Sequence, residues 1–117
     1  VRYNLHTENF TAGATIPPYR IIKFGTTDGN ITVAAAATDF LIGVSNNLGA
    51  LTAGRRADCV VLGVAEIEFG GTITRGALLT SDSSGRAVVA VAGNRIIGIA
   101  WNSGVINDIG FVLLAQN

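Results

Sequence analysis

Along most of the chain apolar residues recur at every second position over short stretches, and glycine-rich polar segments then interrupt them. That period belongs to β-strands, not helices. Tyr19 to Phe24 has the β-branched and aromatic content of a strand. It runs into Thr27-Asp28-Gly29-Asn30, whose Asp-Gly pair suits a tight turn needing positive φ, and Ile31 to Val33 returns as the partner strand. Phe40 to Val44 is the next strand, stopped by Asn46-Asn47-Leu48-Gly49.

A longer strand is predicted from Ala57 to Phe69, with Gly63 placed where a bulge or a close backbone contact is expected. Ala57, Cys59, Val61, Gly63, Ala65, Ile67 and Phe69 make one apolar or neutral face, while the other passes from Val60, Leu62 and Val64 to Glu66 and Glu68. Its first part is therefore expected to be covered on both faces and its second part on one. Ala77 to Thr80, Arg86 to Val91, Arg95 to Trp101 and Ile109 to Ala115 complete the set. Only Leu48 to Ala57 and Ala34 to Phe40 invite a helical reading, each of one or two turns at most. Short strands at this spacing predict an all-β fold, a small closed or partly open barrel, because a flat open sheet leaves unpaired edges.

The strand pattern repeats. Arg20 to Val33 followed by Phe40 to Ser45 is echoed by Gly76 to Val89 followed by Arg95 to Ala100, with Gly29 matching Gly85 and Gly43 matching Gly98. A weaker continuation aligns Asp58-Cys59-Val60-Val61-Leu62 with Gly110-Phe111-Val112-Leu113-Leu114. Each half reads as strand, glycine turn, strand, then an Ile-Gly-Val or Ile-Gly-Ile strand, which predicts approximate internal two-fold symmetry. Residues 1–18 lie outside this repeat and are expected to form an extended N-terminal arm, stiffened by Ile16-Pro17-Pro18, ahead of a barrel domain over 19–117. Removal of residues 1–15 is expected to leave the barrel folded.

Size and charge narrow the function. A chain of 117 residues supports one modest core. Charged residues make up 14%, against roughly 25% in ordinary soluble domains, so contacts within an oligomer are an expected way of covering apolar surface. Eight basic and eight acidic residues cancel, and no positive field favours nucleic acid or an anionic membrane. No apolar run reaches the length of a membrane span and no signal-peptide pattern is present, so synthesis in the cytoplasm is expected.

Reaction chemistry is scarce. Cys59, in an apolar run, reads as a buried small hydrophobe, and His6 lies in the predicted arm, a poor way to hold a nucleophile–base pair. One cysteine and one histidine cannot fill a zinc site. Asp28, Asp82 and Asp108 fall in turns, where aspartate caps backbone amides. Glu66 and Glu68 share a strand face, but a glycosidase needs a sugar cleft as well; pairing with Arg75 or Arg95 is the simpler role. Trp101, which continues an apolar strand, and Phe111 are expected to anchor the core or a subunit contact, the core being the preferred place. No catalytic residue, cofactor site or metal site is predicted. The candidate oligomer or partner contacts are Tyr3, His6, Phe10, Pro17, Pro18, Glu66, Glu68, Arg75 and Trp101.

Phe40-Leu41-Ile42-Gly43-Val44-Ser45, the stretches Ala53 to Glu66 and Gly71 to Asp82, Ser84-Gly85-Arg86-Ala87 and Ile96-Ile97-Gly98-Ile99-Ala100 together resemble the bacteriophage capsid decoration, or cement, proteins. The resemblance covers about residues 13 to 115. It implies a structural protein on the outer surface of an icosahedral head, commonly a homotrimer, which contacts the major capsid protein and helps the shell resist internal pressure. It carries no catalytic residue over. The family's Ala-rich tract after the second glycine turn is replaced here by a short passage from Ala87 to Ala92 into Gly93-Asn94, which puts the usual trimer and capsid contacts in doubt. The alternative is a non-catalytic binding module, a carbohydrate- or receptor-binding accessory domain, which would show an exposed aromatic patch.

Overall fold

The long strand anticipated around Cys59 organises the molecule. A computed structural model describes residues 3–46 and 53–114, with Tyr3–His6 described by backbone alone. The described residues form strands and turns: β1 (Tyr3–Ala12), β2 (Ile21–Phe24), β3 (Asn30–Val33), β4 (Leu41–Ser45), β5 (Arg56–Glu68), β6 (Leu78–Ser81), β7 (Ala87–Val89), β8 (Gly98–Ala100) and β9 (Ile109–Leu114). Of the two stretches that invited a helical reading, residues 34–40 form a turn tied by Asp39, which accepts hydrogen bonds from the Ala35 and Ala36 amides at 2.9 and 3.0 Å. The other lies partly outside the described residues.

The sheet order is β1-β3-β2-β4-β5-β9-β8-β6-β7, and β1 also pairs with β5. The first five strands in that order therefore close into a barrel, and the other four are bonded outside it. The N-terminal segment is extended, but its partner is the chain's own β5, antiparallel from Tyr3↔Val64 to Thr11↔Arg56. This pairing closes the barrel, so removing β1 would strip one edge of β5 bare. The β1 register slips around His6, close to Gly63 of β5, where φ is +98° and an irregularity was anticipated.

The internal repeat is fuller than the sequence echo. Strands β1, β2, β3, β4 and the first part of β5 correspond to the second part of β5, β6, β7, β8 and β9. Matching registers establish this: Phe10↔Ala57 answers to Ile67↔Gly110, Ile22↔Val33 to Leu79↔Val89, and Val44↔Val60 to Ile99↔Leu113. Even the parallel contact Ala12↔Ile31 has its equivalent in the bridge Phe69↔Ala87, which closes the second ring at a single point. Two details of the sequence alignment are corrected. Ile21 matches Leu78, not Ala77, because the second hairpin is one residue tighter, and Cys59 matches Val112, not Phe111. The placing of residues 1–18 outside the repeat is corrected as well, since β1 is the counterpart of the second part of β5.

The repeated Ile-Gly dipeptide has a steric cause. A Cβ on Gly43 would overlap the Val60 carbonyl oxygen, and one on Gly98 would overlap that of Leu113, the equivalent residue. Only glycine lets β4 and β8 lie that close to β5 and β9.

One face of β5 feeds both interiors. Ala57 and Cys59 join Ala12, Ile16, Ile22 and Ile31 inside the first half. Ala65, Ile67 and Phe69 join Ile73, Leu79, Ala87, Ile97 and Val112 in the second, and this cluster also takes in Ile21, Ala34, Val44 and Val60, the outward-facing residues of the first half. The halves thus share a core, with backbone bonds between them such as Ile21 N–H to the Gly85 carbonyl at 2.7 Å.

Candidate interaction surface

Around the junction of the halves the partly buried charges form a latch. Glu68, at the end of β5, accepts from the Arg20 guanidinium at 3.4 Å and lies 3.8 Å from that of Arg86. Arg86 also pairs with Asp82 at 3.3 Å, and Arg20 donates to the Ser84 carbonyl at 2.9 Å. Arg20 enters β2 of the first half, whereas Asp82, Ser84 and Arg86 belong to the β6–β7 turn of the second. These pairs hold the turn against the first barrel. The partners expected for the Glu66/Glu68 face were Arg75 and Arg95; for Glu68 they are Arg20 and Arg86. Arg95 instead stacks over the Phe40 ring, 4.1 Å from its centroid, and these two residues occupy equivalent places in the two halves.

On the outside of the second half, β6, β8 and β9 present an apolar row. Leu78 pairs with Ile99 and Ile99 with Leu113, so the three share a face, and all three are exposed. Ile99 and Trp101 are alternate positions, which puts the indole on the same side. There Trp101 is half exposed, not in the core as expected, and its amide donates to the Phe111 carbonyl at 2.9 Å. Phe111 pairs with Glu66 and Ile109 with Glu68, so the row ends at the two carboxylates of β5.

The candidate contact residues divide between two places. Glu66 and Trp101 lie along this outer face and Glu68, part of the latch, at its end, while Arg75 is exposed, its amide donating to Ser103 Oγ at 3.0 Å. Tyr3, His6 and Phe10 lie along β1, where Phe10 packs against the first core. Pro17 and exposed Pro18 follow in the turn before β2, where the Pro17 carbonyl accepts from Ser45 Oγ at 2.8 Å. The residues missed from sequence are Leu78, Ile99 and Leu113. Their alternation with Leu79, Gly98 and Val112 was visible, but which side faced water was not.

Nothing in this arrangement resembles a reaction centre. Cys59 is fully buried, and desolvation pushes its thiol up to about 12, so no thiolate nucleophile is available at neutral pH. Among the described residues no three His, Cys, Asp or Glu side chains are placed to hold a metal ion. Nor, among them, is any helix long and apolar enough to cross a membrane.

No protein-family model matches the sequence. No curated protein matches it. Among solved structures the chain is similar to the crystal structure of the head fiber gp8.5 N base in bacteriophage phi29, with a TM-score of 0.73 and 17% sequence identity over 94% of this chain and 93% of that one. At that identity the likeness is one of fold, and it spans both halves of the repeat.

Proposed function

We propose that the chain is a non-catalytic structural module of a bacteriophage particle, carried on the outer surface of the head as an accessory binding domain of the fiber-base kind. The observation that carries this reading is the fold-wide likeness to a head fiber base. The exposed apolar face of the second half supports it, since such faces mark protein contacts more often than solvent surface. The reading calls for no cofactor, nucleic acid or membrane.

The decoration role implied by the sequence resemblance is narrower. It adds binding to the major capsid protein, a trimeric state and reinforcement of the shell, with Tyr3, His6, Phe10, Pro17, Pro18, Glu66, Glu68, Arg75 and Trp101 as contacts. A fiber-like accessory role fits the structural likeness better, because attachment to a head does not require that the shell be strengthened. Co-sedimentation of the purified chain with heads assembled without it tests attachment. Saturable binding is the expected result, and failure to bind at any concentration removes the proposal. Unchanged heat resistance of loaded heads would then separate an accessory module from a cement.

A further inference from the structure

We propose that the chain associates head to tail with a second copy of itself, the outer face of one molecule's second half seating on the inner rim of the next molecule's first half. The inference names a partner for the surface module proposed above and rests on that reading for its setting.

The argument is an imbalance between equivalent positions. Ile21 and Val44 are fully buried and Val60 is 3% exposed, because the second half covers them; their counterparts Leu78, Ile99 and Leu113 are 51, 36 and 37% exposed. On the receiving side the imbalance reverses. Ile67, Ile97 and Leu114 are buried, whereas their counterparts Phe10, Ile42 and Val61 are only partly so. Each molecule therefore leaves open one example of both surfaces that it joins internally. Two surfaces that already fit each other within one chain make a second copy the fitting occupant, and a contact between unlike surfaces propagates head to tail.

The turns follow the same rule. Gly85 and Gly29 have φ of +79° and +82°. A Cβ on Gly85 would overlap Val33 and lie 3.2 Å from the Ile21 carbonyl oxygen, while around Gly29 there is open space. Seated on the next molecule, the Gly29 turn would meet Leu78 and Val89 as the Gly85 turn meets Ile21 and Val33. The ionic latch is not duplicated, for Ala77, Thr11, Gly25 and Asn30 stand where Arg20, Glu68, Asp82 and Arg86 would be required. The contact between molecules is thus apolar, weaker than the internal one and insensitive to salt.

Disulfide trapping tests the geometry. Asp28→Cys and Val89→Cys variants are prepared separately, mixed and oxidised; buried Cys59 does not compete. The mixture should give at least about tenfold more cross-linked dimer than either variant alone, since only the mixture brings the two thiols to a high effective concentration. Adding Ile99→Asp to the Val89→Cys chain should abolish it. Equal cross-linking of Val89→Cys with itself would show face-to-face packing and overturn the proposal, as would a mixture that fails to cross-link. Head co-sedimentation on the same samples separates the two readings: a chain that binds heads without cross-linking refutes self-association alone, and one that cross-links but ignores heads refutes the proposed function alone.

Discussion

The outward faces of the two halves are built from the same strands in the same registers, yet one lies inside the molecule and the other is open. Ile21, Val44 and Val60 are sealed beneath the second half and locked by Arg20, Glu68, Asp82 and Arg86. Leu78, Ile99 and Leu113 have neither cover nor lock. Duplication therefore preserves backbone geometry more strictly than environment: glycines that allow close approach recur in place, while the charges that pin one face do not.

The largest test of this difference is a carboxylate placed at equivalent positions. Val44→Asp buries an unpaired charge and should lower stability by about 4 kcal/mol, whereas Ile99→Asp should change it by less than about 1 kcal/mol in urea unfolding followed by circular dichroism. Comparable losses would mean that both faces are covered. Gly43→Ala and Gly98→Ala should each cost about 2–3 kcal/mol, because either methyl meets a backbone carbonyl that cannot move aside. A marked inequality would show that the equivalence of β4 and β8 is superficial.

Smaller effects belong to the features found in one half only. Glu68→Gln should cost about 1–2 kcal/mol through loss of its charge-assisted bond to Arg20 and its ion pair with Arg86, while Thr11→Val at the matching position should be near neutral in the same assay. The smallest concerns Asp39, whose counterpart Asn94 does not titrate. The Ala35 amide, opposed by partial desolvation and helped by the Lys23 ammonium 3.3 Å away and the Ala36 amide, holds the Asp39 carboxyl below its ordinary value of 3.8. With the folded value below the unfolded one, the contribution is complete above 3.8 and is lost as pH falls through the lowered value. Thermal melts should show the wild type losing more stability on acidification than Asp39→Asn, and parallel losses would mean that the carboxylate does not matter.

Much of this architecture was legible in the chain. Period-two alternation located β2 through β9, and Gly29/Gly85 with Gly43/Gly98 exposed the repeat, because turn and close-approach positions tolerate little else. β1 escaped because its polar residues, Asn4, His6, Thr7, Glu8 and Asn9, lack an apolar alternation; its pairing depends on the open edge of β5, which lies far away in sequence. A signal was nevertheless present, since Gly13, Thr15 and Ile16 recur as Gly70, Thr72 and Ile73, and both isoleucines are buried in their own halves. Trp101 was misplaced for a related reason. Strand alternation says that Ile99 and Trp101 share a side, but only the docking of the halves decides which side meets water. The same limit hid the Glu68 latch, whose arginines come from other strands and turns.

Because β5 is the last strand of the barrel and the first of the second half, no linker separates the two halves. A pull on one half is borne by the backbone of the other, without a hinge to absorb it and without a seam for a protease to find. Unfolding of the chain should therefore come as one event, not two.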